Sequence, residues 1–200
     1  EGLRDFTCKV LIDATGDANA VSLAGYDVIR EKDVQPATYT AKLDGVPKLS
    51  DEELSALRAD YEKAVKQGLL RYTDSGWNSH GMDTRFLSTR GHNGNHIFLS
   101  GIDASTSAGI SAYALEGRAA ILRLLRFYKK YDFFKDLKLT WLSPVCGIRE
   151  TVRIVGKQTV TEEKYLSGER YGDDVCFAYY PVDLHDASSY GRKKIYHEPE

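Results

Sequence analysis

The feature that most constrains the fold is a pair of long segments whose apolar residues recur at helical spacing. The first begins at the capping box Ser50–Glu53, where a serine cap is followed three residues later by a glutamate. Gly68 provides a stop for this helix. The second helix is predicted from about Ser107 to Tyr131, with basic residues near its C-terminus. Each helix has one apolar face, which a sheet or another helix must cover.

Short strand-like runs lie on both sides of these helices. Alternating side chains predict a strand over Gln35–Leu43. Arg85–Thr89 and His96–Gly101 flank a turn rich in glycine and asparagine, which predicts a hairpin. Two later strands are predicted over Gly147–Gly156 and Val175–Tyr180. The expected fold is therefore α+β, with a mixed or mainly antiparallel sheet packed by the two helices.

Composition narrows the classes of partner. The chain has 200 residues, 42% hydrophobic and 28% charged, with a formal net charge of -2. These values are ordinary for one or two globular domains. No block of like charge indicates nucleic acid or an anionic membrane surface as the main partner. No apolar run reaches the roughly 18 residues that a membrane span needs.

Three widely spaced cysteines, Cys8, Cys146 and Cys176, form no CxxC pair. This pattern supports neither a zinc knuckle nor a thioredoxin-like motif. An odd number of cysteines favours a reducing compartment, so we expect a cytoplasmic protein. The chain opens without methionine and without the apolar stretch of a signal peptide. We therefore expect it to be an internal segment of a longer protein.

The first candidate for chemistry is the segment Asp13–Asp17. The run Lys9–Asp13 is typical of a buried strand, and Asp17 is a suitable N-cap for a short helix over Ala18–Ala24. Gly16 would let the backbone approach a ligand closely, and ligands of α/β sheets bind beyond the carboxyl ends of strands. A plain strand-to-helix turn without a ligand is the alternative.

The second candidate lies in Gly147–Gly156. In a strand, Arg149, Thr151 and Arg153 would project from one face. Two guanidinium groups on one side could clamp a carboxylate or phosphate, whereas the alternative is an ordinary solvated strand face. Glu150 would point to the other face, where it could hold a neighbouring strand or loop.

Two histidine patterns are further candidates for chemistry. Asp183 and His185 lie two residues apart after a strand, so the carboxylate could orient the imidazole, although a surface pair is the alternative. His92 and His96 have the spacing of a metal-binding pair, but the glycines and asparagines around them predict a turn. We therefore predict no metal site. GxSxG and Walker A motifs are absent from the sequence, so hydrolase and nucleotide-kinase functions have no support.

Several segments together resemble the FAD-dependent oxidoreductases related to the glutathione-reductase-type flavoproteins. They occur in the order of that family and spread over most of the chain. The matching segments are Val10–Gly25, Gln35–Thr38, Leu115–Lys130, Gly147–Thr161 and Tyr180–Asp186.

The resemblance implies roles for particular residues. It puts Ala14, Thr15, Gly16 and Asp17 beside FAD in the parent protein. Together with the spacing arguments above, it makes Arg149, Arg153 and His185 the candidate catalytic residues. The family often has two adjacent arginines where this chain has Val152 before Arg153, a departure that leaves a single arginine at this point. The arginines favour a small anionic substrate.

The resemblance also implies a division of the chain. Residues 1–30 would be a remaining strand–turn–helix unit of the FAD domain, and residues 31–200 a substrate-side α+β domain. The family's GxGxxG motif is absent and is expected before Glu1, so we expect the chain alone to be inactive and to bind FAD poorly. A flavin-free binding or structural module that reuses this domain is the alternative.

Overall fold

The computed structural model describes residues 2, 4–76, 81, 82, 84, 87, 97–185 and 192–195, and every statement below concerns those residues. Along these residues, helices and short strands follow one another. In chain order the elements are α1 (Asn19–Leu23), β1 (Val28–Arg30), β2 (Ala37–Tyr39), β3 (Ala41–Asp44), α2 (Asp51–Lys66), a 3-10 turn (Tyr72–Asp74), β4 (Ile97–Leu99), α3 (Ser107–Tyr128), a second 3-10 turn (Asp132–Phe134), β5 (Lys138–Leu142), β6 (Val152–Ile154), α4 (Glu162–Leu166), β7 (Asp183–His185) and β8 (Arg192–Ile195).

All strand pairs in the described part of the chain are antiparallel. β2 pairs with β4, and β3, which follows β2 after Thr40, pairs with β5. The chain after β5 returns to β2 through a bridge between Thr38 and Gly147. β1 pairs with β6, and β7 pairs with β8. The predicted α+β class is confirmed, although the described strands form separate two-stranded antiparallel sheets and not one larger sheet.

The two long helices follow the local signals in the sequence. At the start of α2, the Ser50 hydroxyl accepts a hydrogen bond from the Glu53 amide, and the Glu53 carboxylate accepts one from the Ser50 amide. This is the predicted capping box, which satisfies two amide groups that the first turn leaves without helical partners. α3 begins after the cap Thr106 and ends at Tyr128, three residues before the predicted end.

Several predicted strands are shorter than expected or absent. Lys9–Asp13 and Val175–Tyr180 form no strand, because no other segment of the described chain pairs with them. The run Gln35–Leu43 is two strands, since its halves pair with different partners on either side of Thr40. Of Gly147–Gly156, only the three residues of β6 are in a strand. Except for Leu87, the first arm and the turn of the predicted hairpin over residues 85–101 lie outside the described residues. His92 and His96 also lie outside them.

The helix α3 connects two clusters of buried side chains. Toward its C-terminus, Leu124, Phe127 and Tyr128 pack with α2 and the second 3-10 turn. Toward its N-terminus, Tyr113 and Ile121 pack with β2 and β4. Within this second region, between Tyr113 and Ile121, the helix backbone approaches β2 so closely that Gly117 faces the Tyr39 ring directly. The position of α3 therefore sets the position of both clusters.

A buried ion pair fixes the first 3-10 turn to α3. Asp74, only 1% exposed, accepts hydrogen bonds from two nitrogens of the Arg123 guanidinium at 2.8 and 2.7 Å. Glu116 also accepts from Arg123, at 2.9 Å, and from Arg71, at 2.7 Å. The two carboxylates raise the pKa of Arg123 above its usual range, chiefly through the Asp74 hydrogen bonds. The arginine is therefore charged at neutral pH.

A buried cysteine lies where β2 meets the chain that follows β5. The Cys146 thiol donates a hydrogen bond to the Thr38 carbonyl oxygen at 3.0 Å, and burial raises the pKa of this thiol to about 11. Cys8 and Cys176 are exposed. In the described part of the chain, no helix has the length and apolar character to cross a membrane.

Replacing Gly117 with alanine should destabilise the protein. A methyl group there would stand 2.3 Å from Tyr39 Cγ, which is far inside contact distance. Overpacking of this kind costs about 1–3 kcal/mol, which outweighs the gain in helix propensity of about 1 kcal/mol. Urea unfolding measures the difference. Gly172→Ala is the matched control, because nothing lies within 4 Å of its added methyl; equal stability of the two variants would contradict the close approach.

Replacing Asp74 with alanine should cost about 3–5 kcal/mol of unfolding free energy, because it leaves the Arg123 charge partly buried beside Glu116 alone. Glu169→Ala, which removes an exposed pair with Lys164, should cost less than about 1 kcal/mol. The double variant Asp74→Leu/Arg123→Met should recover most of the loss, since two apolar residues can replace a buried pair. A double variant as unstable as Asp74→Ala would show that the charges have a further role.

Candidate functional site

A cleft of about 530 Å³ opens where the end of β1, the loop before α3 and the start of β6 come together. A volume of this size suits a small-molecule ligand. Charged and hydroxyl-bearing side chains from all three segments contribute to its walls. The cleft is lined by residues 30–34, 100–105 and 150–152.

The loop before α3 is held in place by contacts of Asp103 and Ser105. Gly109 lies directly against it, because a methyl group there would stand 1.7 Å from the Asp103 carbonyl oxygen. The Ser105 amide donates to Asp103 Oδ1 at 2.9 Å, and the Arg30 guanidinium donates to the Ser105 hydroxyl at 3.2 Å. The hydrogen bonds from Ser105 lower the pKa of Asp103. The carboxylate is therefore ionised at neutral pH.

The turn Ala14–Asp17 is shaped by the aspartate that precedes it. Asp13 accepts hydrogen bonds from the Thr15 amide and hydroxyl and from the Val21 amide. These bonds, that of the Thr15 amide first, lower the pKa of Asp13. Gly16 has a φ of 79°, and apart from its two neighbours no described residue has an atom within 4 Å of where its Cβ would stand. The turn therefore has an open side along its glycine.

Asp17 does not cap α1 as the sequence predicted. The residue at the N-cap is Ala18, whose φ of 52° is left-handed and whose side chain makes no cap hydrogen bond. Two amides of this short helix bond instead to Thr15 and Asp13. The Asp17 carboxylate accepts a hydrogen bond from the Thr151 hydroxyl. Since Thr151 lines the cleft, this contact connects the glycine turn with the cleft wall.

The two candidate arginines do not form the predicted clamp. Arg153 lies in β6 and is 55% exposed, and its guanidinium is 2.9 Å from Glu31 Oε1 and 3.6 Å from Glu150 Oε1. Arg149 is exposed and precedes the strand, so the two do not share a strand face. Neither carboxylate was expected beside Arg153: Glu31 is far away in the sequence, and the strand pattern had placed Glu150 on the opposite face. The catalytic roles of both arginines remain predictions.

His185 is buried and connected to the cleft through one glutamine. Its Nε2 lies 3.5 Å from Asp183 Oδ1, and its ring stacks on Phe98 with centroids 6.0 Å apart. The backbone N–H of His185 donates to Gln35 Oε1 at 3.3 Å. The backbone N–H of Gln35 in turn donates to Glu150 Oε2 at 2.9 Å. Glu150 thus holds a neighbouring loop, as the sequence predicted.

The sequence pattern contained the pair Asp183 and His185, but not the connection to Glu150. The signal that could have identified Gln35 was its place in one of the segments that carry the family resemblance. Hydrogen bonds between segments that are far apart in the sequence leave no spacing pattern, so only the fold reveals this connection. In the described ranges, no group of three or more histidine, cysteine or acidic residues could hold a metal ion.

Removing the Thr151 hydroxyl should loosen the glycine turn. Thr151→Val keeps the shape of the side chain but loses the bond to Asp17. A hydrogen bond to a charged group contributes about 1.5–3 kcal/mol, so amide hydrogen exchange over residues 15–23 should increase roughly tenfold or more. Thr151→Ser, which keeps the hydroxyl, is the control and should exchange like the original protein. Unchanged exchange in the valine variant would show that the contact does not hold the turn.

Comparison with known proteins identifies a family. The family model described as FAD dependent oxidoreductase matches residues 1–200. Neither the curated proteins nor the solved structures gave a match, and the closer relation to glutathione-reductase-type flavoproteins stays a prediction. The match covers the whole chain, including the glycine turn, the cleft and the His185 region. This protein is therefore a member of the FAD dependent oxidoreductase family.

Proposed function

We propose that this chain provides the substrate-side domain and one FAD-contacting turn of an FAD-dependent oxidoreductase. The observation that carries the proposal is the hydrogen bond between Thr151 and Asp17, which joins the glycine turn to the wall of the cleft. A cofactor against the turn would then lie next to a substrate in the cleft. Such proximity is what hydride or electron transfer requires, since the reacting atoms must come within a few ångströms.

The turn fits one side of an FAD site. Gly16 has a positive φ and open space on the side where other residues carry a Cβ, so a flat ring system could approach the backbone of Ala14–Asp17. When bound, the flavin would supply the redox chemistry. The turn does not fit the pyrophosphate, because α1 has only five residues and the sequence has no GxGxxG. We propose that residues outside this chain complete the site.

An exposed apolar segment supports the same division of the chain. Val10, Leu11 and Ile12 are 77%, 69% and 82% exposed, although the run is typical of a buried strand. A neighbouring sheet that covers these side chains would belong to the dinucleotide-binding part. Residues 1–30 would then belong to that part, and residues 31–200 to the substrate side.

The candidate catalytic residues have different relations to the cleft. Glu150 lines it directly, and Arg153 contacts Glu150. We propose that Arg153 acts by holding this carboxylate in position. We propose that His185 also helps to position Glu150, acting through Gln35. The backbone N–H of His185 donates to the Gln35 side chain, and the backbone N–H of Gln35 donates to Glu150. The role of Arg149 rests on the resemblance alone.

The purified chain should bind FAD more weakly than a dissociation constant of about 1 µM, which corresponds to about -8 kcal/mol. The reason is the missing pyrophosphate loop. Titration calorimetry or quenching of flavin fluorescence measures this. Tighter binding would contradict an incomplete site.

A longer protein that joins this chain to its dinucleotide-binding part separates the proposal from a flavin-free module. It should purify with FAD, and Gly16→Asn, which tolerates a positive φ but adds a side chain, should lower its FAD content. Gly172→Asn is the control, because Gly172 also has open space but lies outside the turn. A long form that neither carries nor takes up FAD would support the flavin-free module.

A further inference from the structure

The charges around the cleft fall into two groups. Glu31 and Glu150 are both within ion-pair distance of Arg153. The other four charged residues of the lining form no ion pair within 4 Å in the described part of the chain. They are two cations and two carboxylates: Arg30, Lys32, Asp33 and Asp103.

Two of these four residues, Arg30 and Asp103, are held in place by a third side chain. Arg30 donates to the Ser105 hydroxyl with one terminal nitrogen, and Asp103 accepts the Ser105 amide with one oxygen. A guanidinium has five N–H donors and a carboxylate has about four acceptor positions. Both groups therefore have unused hydrogen-bonding capacity beside the same serine. The proximity of Arg30 also helps to keep Asp103 ionised.

This distribution disfavours a ligand of a single charge. An anion at Arg30 would be repelled by Asp103 and Asp33, and a cation at Asp103 would be repelled by Arg30 and Lys32. Such repulsion acts over several ångströms at the surface of a protein. A ligand with both charges avoids it, because each end is attracted by one group and is turned away from the other.

We propose that the cleft binds a small zwitterion of the amino-acid class, with its carboxylate at Arg30 and its ammonium group at Asp103. The proposal deepens the function proposed above by naming a substrate class, and it rests on that function only in calling the ligand a substrate. The cleft volume of about 530 Å³ accommodates such a molecule. The proposal keeps the carboxylate of the earlier expectation of an anionic substrate but adds an ammonium group, so the ligand has no net charge.

Three probes of similar size test the charge requirement on the full chain without flavin. Alanine has both charges, lactate has only the carboxylate, and ethylamine has only the ammonium group. Alanine should cause saturable shifts of the amide resonances of residues 100–105 in NMR spectra. Lactate and ethylamine should bind about tenfold more weakly, since each lacks one charge-assisted contact.

Two variants assign the ends of the ligand. Arg30→Gln should reduce the affinity for alanine to that for ethylamine, and Asp103→Asn should reduce it to that for lactate. Both side chains are exposed, and the resonance dispersion of the rest of the spectrum shows whether each variant is folded. Arg126→Gln and Asp173→Asn are matched controls at exposed positions outside the cleft, and both should bind alanine as the original chain does.

Each other outcome overturns the proposal. Lactate binding as tightly as alanine would indicate a simple anion site, and ethylamine binding as tightly would indicate a cation site. No shift with any probe would mean that the four charged side chains are solvated surface groups that bind none of these ligands. Because no flavin is present, failure here leaves the FAD proposal intact, and a long form without FAD leaves the binding result intact.

Discussion

The close approach of α3 to β2 is the constraint on which the rest of the structure depends. Gly117 allows the helix backbone to lie against the Tyr39 ring, which is fully buried. The Tyr39 hydroxyl donates to the Ser143 carbonyl oxygen at 2.7 Å, so one tyrosine joins α3, β2 and the chain after β5. Close packing of this kind permits little adjustment, because protein interiors are as dense as organic crystals.

The cleft takes its geometry from the same helix. Gly109 is two turns before Gly117 on α3 and lies against the Asp103 carbonyl oxygen, so the cleft loop has a fixed distance from the sheet. At the other half of α3, Arg123 holds the first 3-10 turn through Asp74. Glycines thus fix one half of the helix by steric contact, and a buried ion pair fixes the other half. The site is therefore built on a rigid element, although its walls are loops.

The sequence predicted the helices well because their signals are local. The capping box at Ser50 and the stop at Gly68 lie within one or two turns of the residues that they organise. Strands were predicted less well, because a strand exists only with a partner. Lys9–Asp13 has the composition of a strand, yet no described segment pairs with it. Site contacts were least predictable: Arg153 and Glu31 are 122 residues apart, and the clamp predicted for Arg153 depended on a face that Arg149 does not share.

The buried Cys146 gives the domain an internal chemical reporter. Only a thiolate reacts readily with alkylating reagents, and burial with a pKa of about 11 keeps this thiol protonated and covered. Cys8 and Cys176 are exposed, so they should be labelled while the fold is intact. Labelling of Cys146 requires its bond to the Thr38 carbonyl to break and the sheet to separate from the chain that follows β5. The mass of the labelled chain would then distinguish closed molecules, with two labels, from molecules whose sheet has opened, with three.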